Sequence, residues 1–324
     1  MERYPKYYEQ FTCIAAACPD SCCQEWQVDV DDATAAKYLA LPGPLGERLR
    51  RTMVHTEDGY ILPITQGRCP MWRQDGLCEI QAQEGHDALC HTCQTFPRLC
   101  HEYEEFTERD LELSCPEAAR LIFNGDDAWV GDEPDSRDDL MSILLESRRE
   151  ALAFLRASSY SLSEKLRCLL LYAHHVQNWI DGGEPVRIEP EKALKLASSL
   201  DCSGDIIPIF DFYVNLEILT DRWKQRLASP ANAPAWDEKL LRFLSYGIRR
   251  YWLQAISDYD LLCRVKFLIG AAILLAHLGG NTLETAQLWS KEIENDPDNV
   301  EALLDAAYTS PAFTDQNLLC LLKK

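Results

Sequence analysis

A chain of 324 residues, 47% of them hydrophobic, is long enough to bury a substantial core as one body or two. Its 52 acidic side chains outweigh 32 basic ones, and a net charge of −20 repels a phosphate backbone, which argues against nucleic acid as a partner. Residues 1–6, MERYPK, lack the apolar stretch of a signal peptide, and the longest apolar run, 267–278, is shorter than the roughly 20 residues that span a bilayer, so a cytoplasmic chain with no membrane segment is expected.

Ten of the 14 cysteines fall between Cys13 and Cys115. This first part, 1–125, is predicted to mix turns with short strands and helices. Asp29, Asp31 and Asp32 precede an Ala-rich stretch and predict a helix to Leu41. Residues 59–64, GYILPI, read as a strand, and Asp75-Gly76 as a turn between Cys69 and Cys78. Residues 126–139 are acidic and carry Gly and Pro, the composition of a solvated linker. From 140 to 324 helical periodicity dominates. Leu140, Ile143, Leu144, Ala151, Leu152 and Leu155 share a face. Ser161-Leu162-Ser163-Glu164 has capping-box spacing, opening a helix that Asp181-Gly182-Gly183 should stop. Further helices are predicted near 190–200, 208–227, 237–257, 260–278, 283–295 and 298–308. The expected fold class is therefore mainly α: a cysteine-rich metal-binding domain, an acidic linker and an α-helical domain.

Disulfides are rare in a reducing compartment, so crowded thiols there point to metal. Cys18, Cys69 and Cys115 are each followed by proline, and Cys90-His91-Thr92-Cys93 lets two sulfurs approach one metal. The pattern is neither the paired CxxC of a zinc ribbon nor the CxxxCxxC of radical S-adenosylmethionine enzymes. Four thiolates suit zinc or an iron–sulfur cluster equally, but ten exceed one mononuclear site, which favours a polynuclear centre or two sites. Cys22 and Cys23 are adjacent, so their side chains are not expected to face the same way. They serve different metals, or only one is a ligand. His55, His86, His91 and His101 are read as surface residues.

The strings Cys18-Pro-Asp-Ser-Cys22-Cys23-x-x-Trp26, Cys69-Pro70, Asp75-Gly-Leu-Cys78-x-Ile80, Leu89-Cys90-x-x-Cys93-x-x-Phe96-Pro97-Arg98 and Leu113-Ser-Cys115-Pro-Glu-Ala-Ala-Arg120 resemble the flagellin lysine N-methylase family, itself related to the CxxCxxCC zinc- or iron-chelating domains. The resemblance covers residues 13–122. It implies an iron–sulfur centre (a 4Fe-4S cluster, with zinc as the alternative), S-adenosylmethionine as methyl donor and flagellin lysines as acceptors. On it the metal ligands would come from Cys13, Cys18, Cys22, Cys23, Cys69, Cys78, Cys90, Cys93 and Cys115, with Cys100 outside the motifs.

Arg98 is the candidate for the cofactor: its guanidinium could clamp a donor carboxylate, or pair with Glu102, Glu104 or Glu105. Arg120 has the same two readings. No glycine-rich turn follows a strand, and Gly279-Gly280-Asn281 reads as a helix cap, so a Rossmann-type donor site is not expected. No base is assigned. The aromatic residues after 140 are read as core, His174 and His175 as a pair of which one faces the core, and Cys168, Cys202, Cys263 and Cys320 as small buried side chains. The alternatives to a transferase are a zinc or iron chelator, an iron–sulfur redox protein and a structural zinc module.

Overall fold

The computed structural model describes residues 1–156, 159–200, 204–231 and 233–323. The strands are β1 (Glu2–Pro5), β2 (Val28–Val30), β3 (Val54–Thr56), β4 (Gly59–Leu62), β5 (Arg98–Glu102), β6 (Thr107–Leu111) and β7 (Trp129–Val130). The early helices are α1 (Asp32–Ala40), α2 (Gly43–Thr52), α3 (Glu79–Glu84), α4 (His91–Thr95) and α5 (Pro116–Asn124). After β7 come α6 (Asp139–Arg156), α7 (Leu162–Ile180), α8 (Pro190–Ser199), α9 (Ile207–Val214), α10 (Asp221–Leu227), α11 (Leu240–Tyr251), α12 (Leu261–Leu278), α13 (Thr282–Ile293), α14 (Pro297–Thr309) and α15 (Asp315–Leu321). The protein is mainly α, as expected.

Local chemistry sets most boundaries. Both halves of the Ser161–Glu164 capping box form, and α7 ends before Gly182. The helix expected over 208–227 is two helices, α9 and α10. Thr220 breaks it by capping Trp223 N–H at 3.1 Å, while buried Glu292 accepts the Leu219 N–H at 2.7 Å and Asn299 accepts the Glu217 N–H. Side chains from α13 and α14 thus take the bonds that helix continuation would have made. The helix expected over 237–257 starts at Leu240 and tightens into a 3-10 turn at Trp252–Ile256. Helix α15, flanked by Pro311, is an addition to the sequence reading. Helix α12 is long and apolar enough to cross a membrane by composition, yet all 18 of its residues are buried inside the protein.

Two hydrophobic cores organise the chain. The larger joins the helices from α6 onward to Tyr7, Phe11, Phe106, Leu111, Leu113 and the inner face of α5, so its residues lie on both sides of 126–139. It carries a sheet of order β5-β6-β1-β7, with β1 parallel to β6 and the other pairs antiparallel. Within 126–139, β7 pairs with β1, and Asp127 lies 3.3–3.6 Å from Arg156, Arg242 and Arg249. Buried polar groups tie this sheet to the helices. Arg148 forms a two-pronged pair with Glu108, and Arg249 bonds Asp110 and the Tyr7 hydroxyl. The smaller core, over residues 28–90, covers the antiparallel sheet β2-β4-β3 with α1–α4.

Candidate functional site

The turns that hold the cysteines build the site. Ala15, left-handed at φ 50°, donates its N–H to the Cys13 sulfur at 3.4 Å and accepts the Cys18 N–H at 3.0 Å, so one residue gathers both thiols. A turn over 21–24 follows, and Glu25 leaves it at φ 77° with its N–H on the Gly67 carbonyl. The Cys23 carbonyl then accepts the Cys69 N–H at 2.8 Å, which joins the first cysteine string to the second. The Asp75-Gly76 turn is present. It pairs Trp72 with Cys78 and returns the chain beside Cys69. Asp31 caps α1 through Thr34 and also accepts the His91 N–H at 3.0 Å, fixing α4 and with it Cys90 and Cys93.

Cys78, Cys90 and Cys115 each occupy the cap position before a helix. No capping hydrogen bond reaches these sulfurs, but the N–H groups of the following turn act to lower their pKa, the polarity a thiolate needs. Burial works in the opposite direction. With a smaller push from neighbouring thiols, it raises the Cys69 thiol to about 12 and the Cys115 thiol to about 11. Metal-free, the Cys69 and Cys115 sulfurs are neutral; a bound cation would reverse the balance and deprotonate them. The donor set is therefore of the right chemistry for a thiophilic centre. Among the described residues, no three His, Cys, Asp or Glu side chains converge closely enough to hold a single ion.

The thiols act on one another in two overlapping groups, joined where Cys93 lies under the field of both Cys22 and Cys23. Cys115 is under the field of Cys13 and Cys18, and Cys22 under that of Cys13 and Cys115. Cys69 and Cys78 are each under the field of Cys23 and Cys90, while Cys93 bonds Cys90. Contrary to expectation, the adjacent Cys22 and Cys23 thiols touch. Their hydrogen bond raises Cys22 and lowers Cys23, at the turn that the Gln24 N–H closes on the Ser21 carbonyl. Cys100 lies apart, exposed on β5 opposite Arg109.

Charge locks the first string to the helices. Asp20, between Cys18 and Cys22, is 8% exposed. It receives Lys291 Nζ at 2.7 Å and Gln287 Nε2 at 3.1 Å, both from α13, and Gln287 also donates to the Ser114 carbonyl at 2.7 Å. Lys291 is shared with Glu25 at 2.7 Å and sits 4.9 Å above the Trp26 ring. Glu25 in turn borders a cleft of about 820 Å³, walled by Leu216, Ile218, Leu219 and Thr220 with Arg222 at its rim. Sequence reasoning missed Glu25, Gln287 and Lys291. Only Asp20 carried a signal, its place inside the Cys18–Cys23 string.

Other candidates resolve as follows. Arg98 is exposed at the start of β5. Rather than pairing with Glu102, Glu104 or Glu105, it lies over the Phe11 ring at 5.0 Å, because strand pairing directs it toward the N-terminal turn. Arg120 forms a two-pronged pair with Glu117 at 2.7 and 2.8 Å. Neither His174 nor His175 is buried; His174 bonds Asp315 at 2.9 Å and His175 is exposed. His55, His86 and His91 are exposed as expected, whereas His101 is half-buried, and burial lowers its pKa. Cys168 and Cys263 are buried free thiols, Cys320 is buried and disulfide-bonded, and Cys202 lies outside the described residues.

No family model and no solved structure matches the chain. Among curated proteins, it is 34% identical over 167 residues to the flagellar biosynthetic protein FliU of Salmonella muenchen, a match that covers 49% of this chain and 94% of that one. It is 35% identical over 133 residues to the lysine-N-methylases of Salmonella typhimurium and Salmonella choleraesuis, covering 39% of this chain and 33% of each of those. The match thus spans about a third of the length of the lysine-N-methylases.

Proposed function

Because this chain belongs to the flagellin lysine N-methylase family, we propose that it transfers a methyl group from S-adenosylmethionine to lysine side chains of flagellin in the cytoplasm. The single observation that carries this reading is the 35% identity to two lysine-N-methylases. The charge of −20 supports it, since it favours an approaching ammonium.

The reaction sets three requirements. The acceptor nitrogen arrives as an ammonium and loses a proton before it reacts, so the site needs a carboxylate or water path to take that proton. Its lone pair then attacks the methyl carbon, the carbon–sulfur bond breaks, and the sulfonium leaves as a neutral thioether. The apolar wall of Leu216, Ile218 and Leu219 would hold the aliphatic lysine stem and exclude water. Arg98, the one unpaired guanidinium of the motifs, would bind the donor's carboxylate.

The nine motif cysteines would hold the iron–sulfur centre, or zinc in its place. When bound, such a centre supplies thiolate-ligated metal of adjustable potential. The chain's own contribution is the polarity of the helix starts that follow Cys78, Cys90 and Cys115 and the Asp20–Lys291 pair that fixes the Cys18–Cys23 string.

Anaerobically purified protein, incubated with purified flagellin and methyl-labelled S-adenosylmethionine, tests the reading. Label on flagellin lysines is expected; its absence from protein with full metal content would refute it. A second reading, a metal-binding protein without transferase activity, draws on the limited span of the lysine-N-methylase match. It predicts full metal content, no label transfer and no binding of S-adenosylmethionine.

A further inference from the structure

A local excess of cations stands against the acidity of the chain as a whole. The turn at 65–68 is closed by two backbone bonds, Thr65 N–H to the Arg68 carbonyl at 2.8 Å and Arg68 N–H to the Thr65 carbonyl at 3.2 Å. Between them lie Gln66 at φ 55° and Gly67 at φ 73°. Two consecutive left-handed residues make a tight hairpin turn, which sets the exposed Arg68 in a fixed place. The chain then turns again: the Cys69 carbonyl accepts the Trp72 N–H at 3.0 Å, and Trp72 pairs with Cys78 across the Asp75-Gly76 turn. Trp72 is left half-buried, with the Arg68 guanidinium 5.0 Å from the centre of its ring.

These turns and α2 enclose a cleft of about 360 Å³. Trp72 and Pro70 form its apolar wall, and Arg48, Arg68, Arg73 and Thr65 its polar one. Among the described residues no carboxylate lines it. Glu79 pairs with Arg48, and Asp75 with Arg73 at 2.5 Å, but both carboxylates line an adjoining cleft that shares Arg48, Trp72 and Arg73. Arg68 has no ion-pair partner among the described residues. Guanidinium forks match the oxygens of a phosphate, and three of them offer more donors than the two oxygens of a carboxylate can use. The open face of Trp72 suits a flat ring, since bases stack on aromatic side chains whatever their identity. The volume is that of a small molecule.

We propose that this cleft binds a nucleoside monophosphate, with Arg68, Arg48 and Arg73 on the phosphate and the base against Trp72. The inference goes beyond the transferase reading and does not depend on it. S-adenosylmethionine fits poorly although it carries the same adenosine: its sulfonium and ammonium outweigh its single carboxylate, and three guanidiniums repel the surplus. The charge of −20 that turns away a polyanion does not bar one nucleotide, because distant charges are screened beyond about 10 Å while the guanidiniums are in contact.

Adenosine monophosphate, titrated calorimetrically into the reduced full-length chain at low salt, is the test. Saturation at one equivalent is expected. Adenosine and inorganic phosphate, each lacking one half of the contacts, should bind about tenfold more weakly or worse. Arg68→Ala should weaken adenosine monophosphate about tenfold or more, the scale of a lost charge-assisted hydrogen bond. Arg68→Lys should recover only part, since lysine keeps the charge without the planar fork. Because Arg68 is exposed and unpaired, both variants should keep the wild-type unfolding transition, so a weakened affinity reads the cleft and not the fold. S-adenosylmethionine should not displace the nucleotide. No saturable binding at about 1 mM, unchanged affinity in Arg68→Ala, adenosine binding as tightly as its monophosphate, or displacement by S-adenosylmethionine each overturns the proposal.

Discussion

The ammonium of Lys291, fully buried on α13, lies 2.7 Å from the carboxylate of Asp20, 271 residues earlier in the chain and two residues from each of Cys18 and Cys22. Such a pair does little for stability against an apolar replacement, but removing one partner strands a charge in the interior. Its value here is positional, since it fixes the loop that carries four cysteines against the helices.

Lys291→Ala is accordingly expected to lower unfolding free energy by about 3–5 kcal/mol, the usual cost of breaking a buried pair. Asp20→Asn combined with Lys291→Gln should cost less than the sum of the single changes. Denaturant unfolding checks both, and a loss for Lys291→Ala no greater than that of an exposed ion pair, about 1 kcal/mol, would show that the pair does not hold the loop.

Arg98 is exposed and lies 5.0 Å over the ring of Phe11. Arg98→Ala should therefore leave the melting temperature nearly unchanged while weakening S-adenosylmethionine binding about tenfold or more, the scale of a lost charge-assisted hydrogen bond. Calorimetric titration reads the affinity. Unchanged affinity would remove Arg98 from the donor site.

Asp315 joins α15 to His174 of α7 and Lys266 of α12. Partial burial alone would raise its pKa; the hydrogen bonds and charges of His174 and Lys266 outweigh burial and hold it at about 2. A depressed carboxyl contributes stability above its unfolded value, about 3.9, and loses it as pH falls through the folded value. Unfolding free energy should therefore decline between about pH 4 and pH 2. In Asp315→Asn that decline should be shallower; identical acid limbs would count against the pairing.

Gly270 sits in the fully buried α12, where a Cβ would lie 2.6 Å from Cε1 of Phe313. Gly270→Ala should cost about 1–3 kcal/mol through overpacking, despite alanine's better helix propensity. Phe313→Leu should recover part of the loss. A stabilised single variant would mean that the ring can move aside.

Much of the fold was legible because its determinants are local. The Ser161–Glu164 box, the apolar face of α6, the Asp75-Gly76 turn and the strand at Gly59 depend on residues within a few positions of one another. The sites where the reading departed from the structure, the break at Thr220 and the pairing of Cys22 with Cys23, turn on partners the local pattern does not contain: Glu292 for the first and the bend held by Gly67 for the second.

The sequence by itself determined which atoms are available for chemistry: ten early thiols, their proline-flanked turns and motifs specific enough to indicate the family. Only the tertiary structure decided which of those thiols neighbour one another and what secures them. Periodicity and spacing encode neighbours along the chain, whereas the partition between the two cores, the Asp20–Lys291 pair and the cleft beside Glu25 arise from segments up to 271 positions apart. Their meeting is fixed by burial and charge in the folded interior, which no local string records.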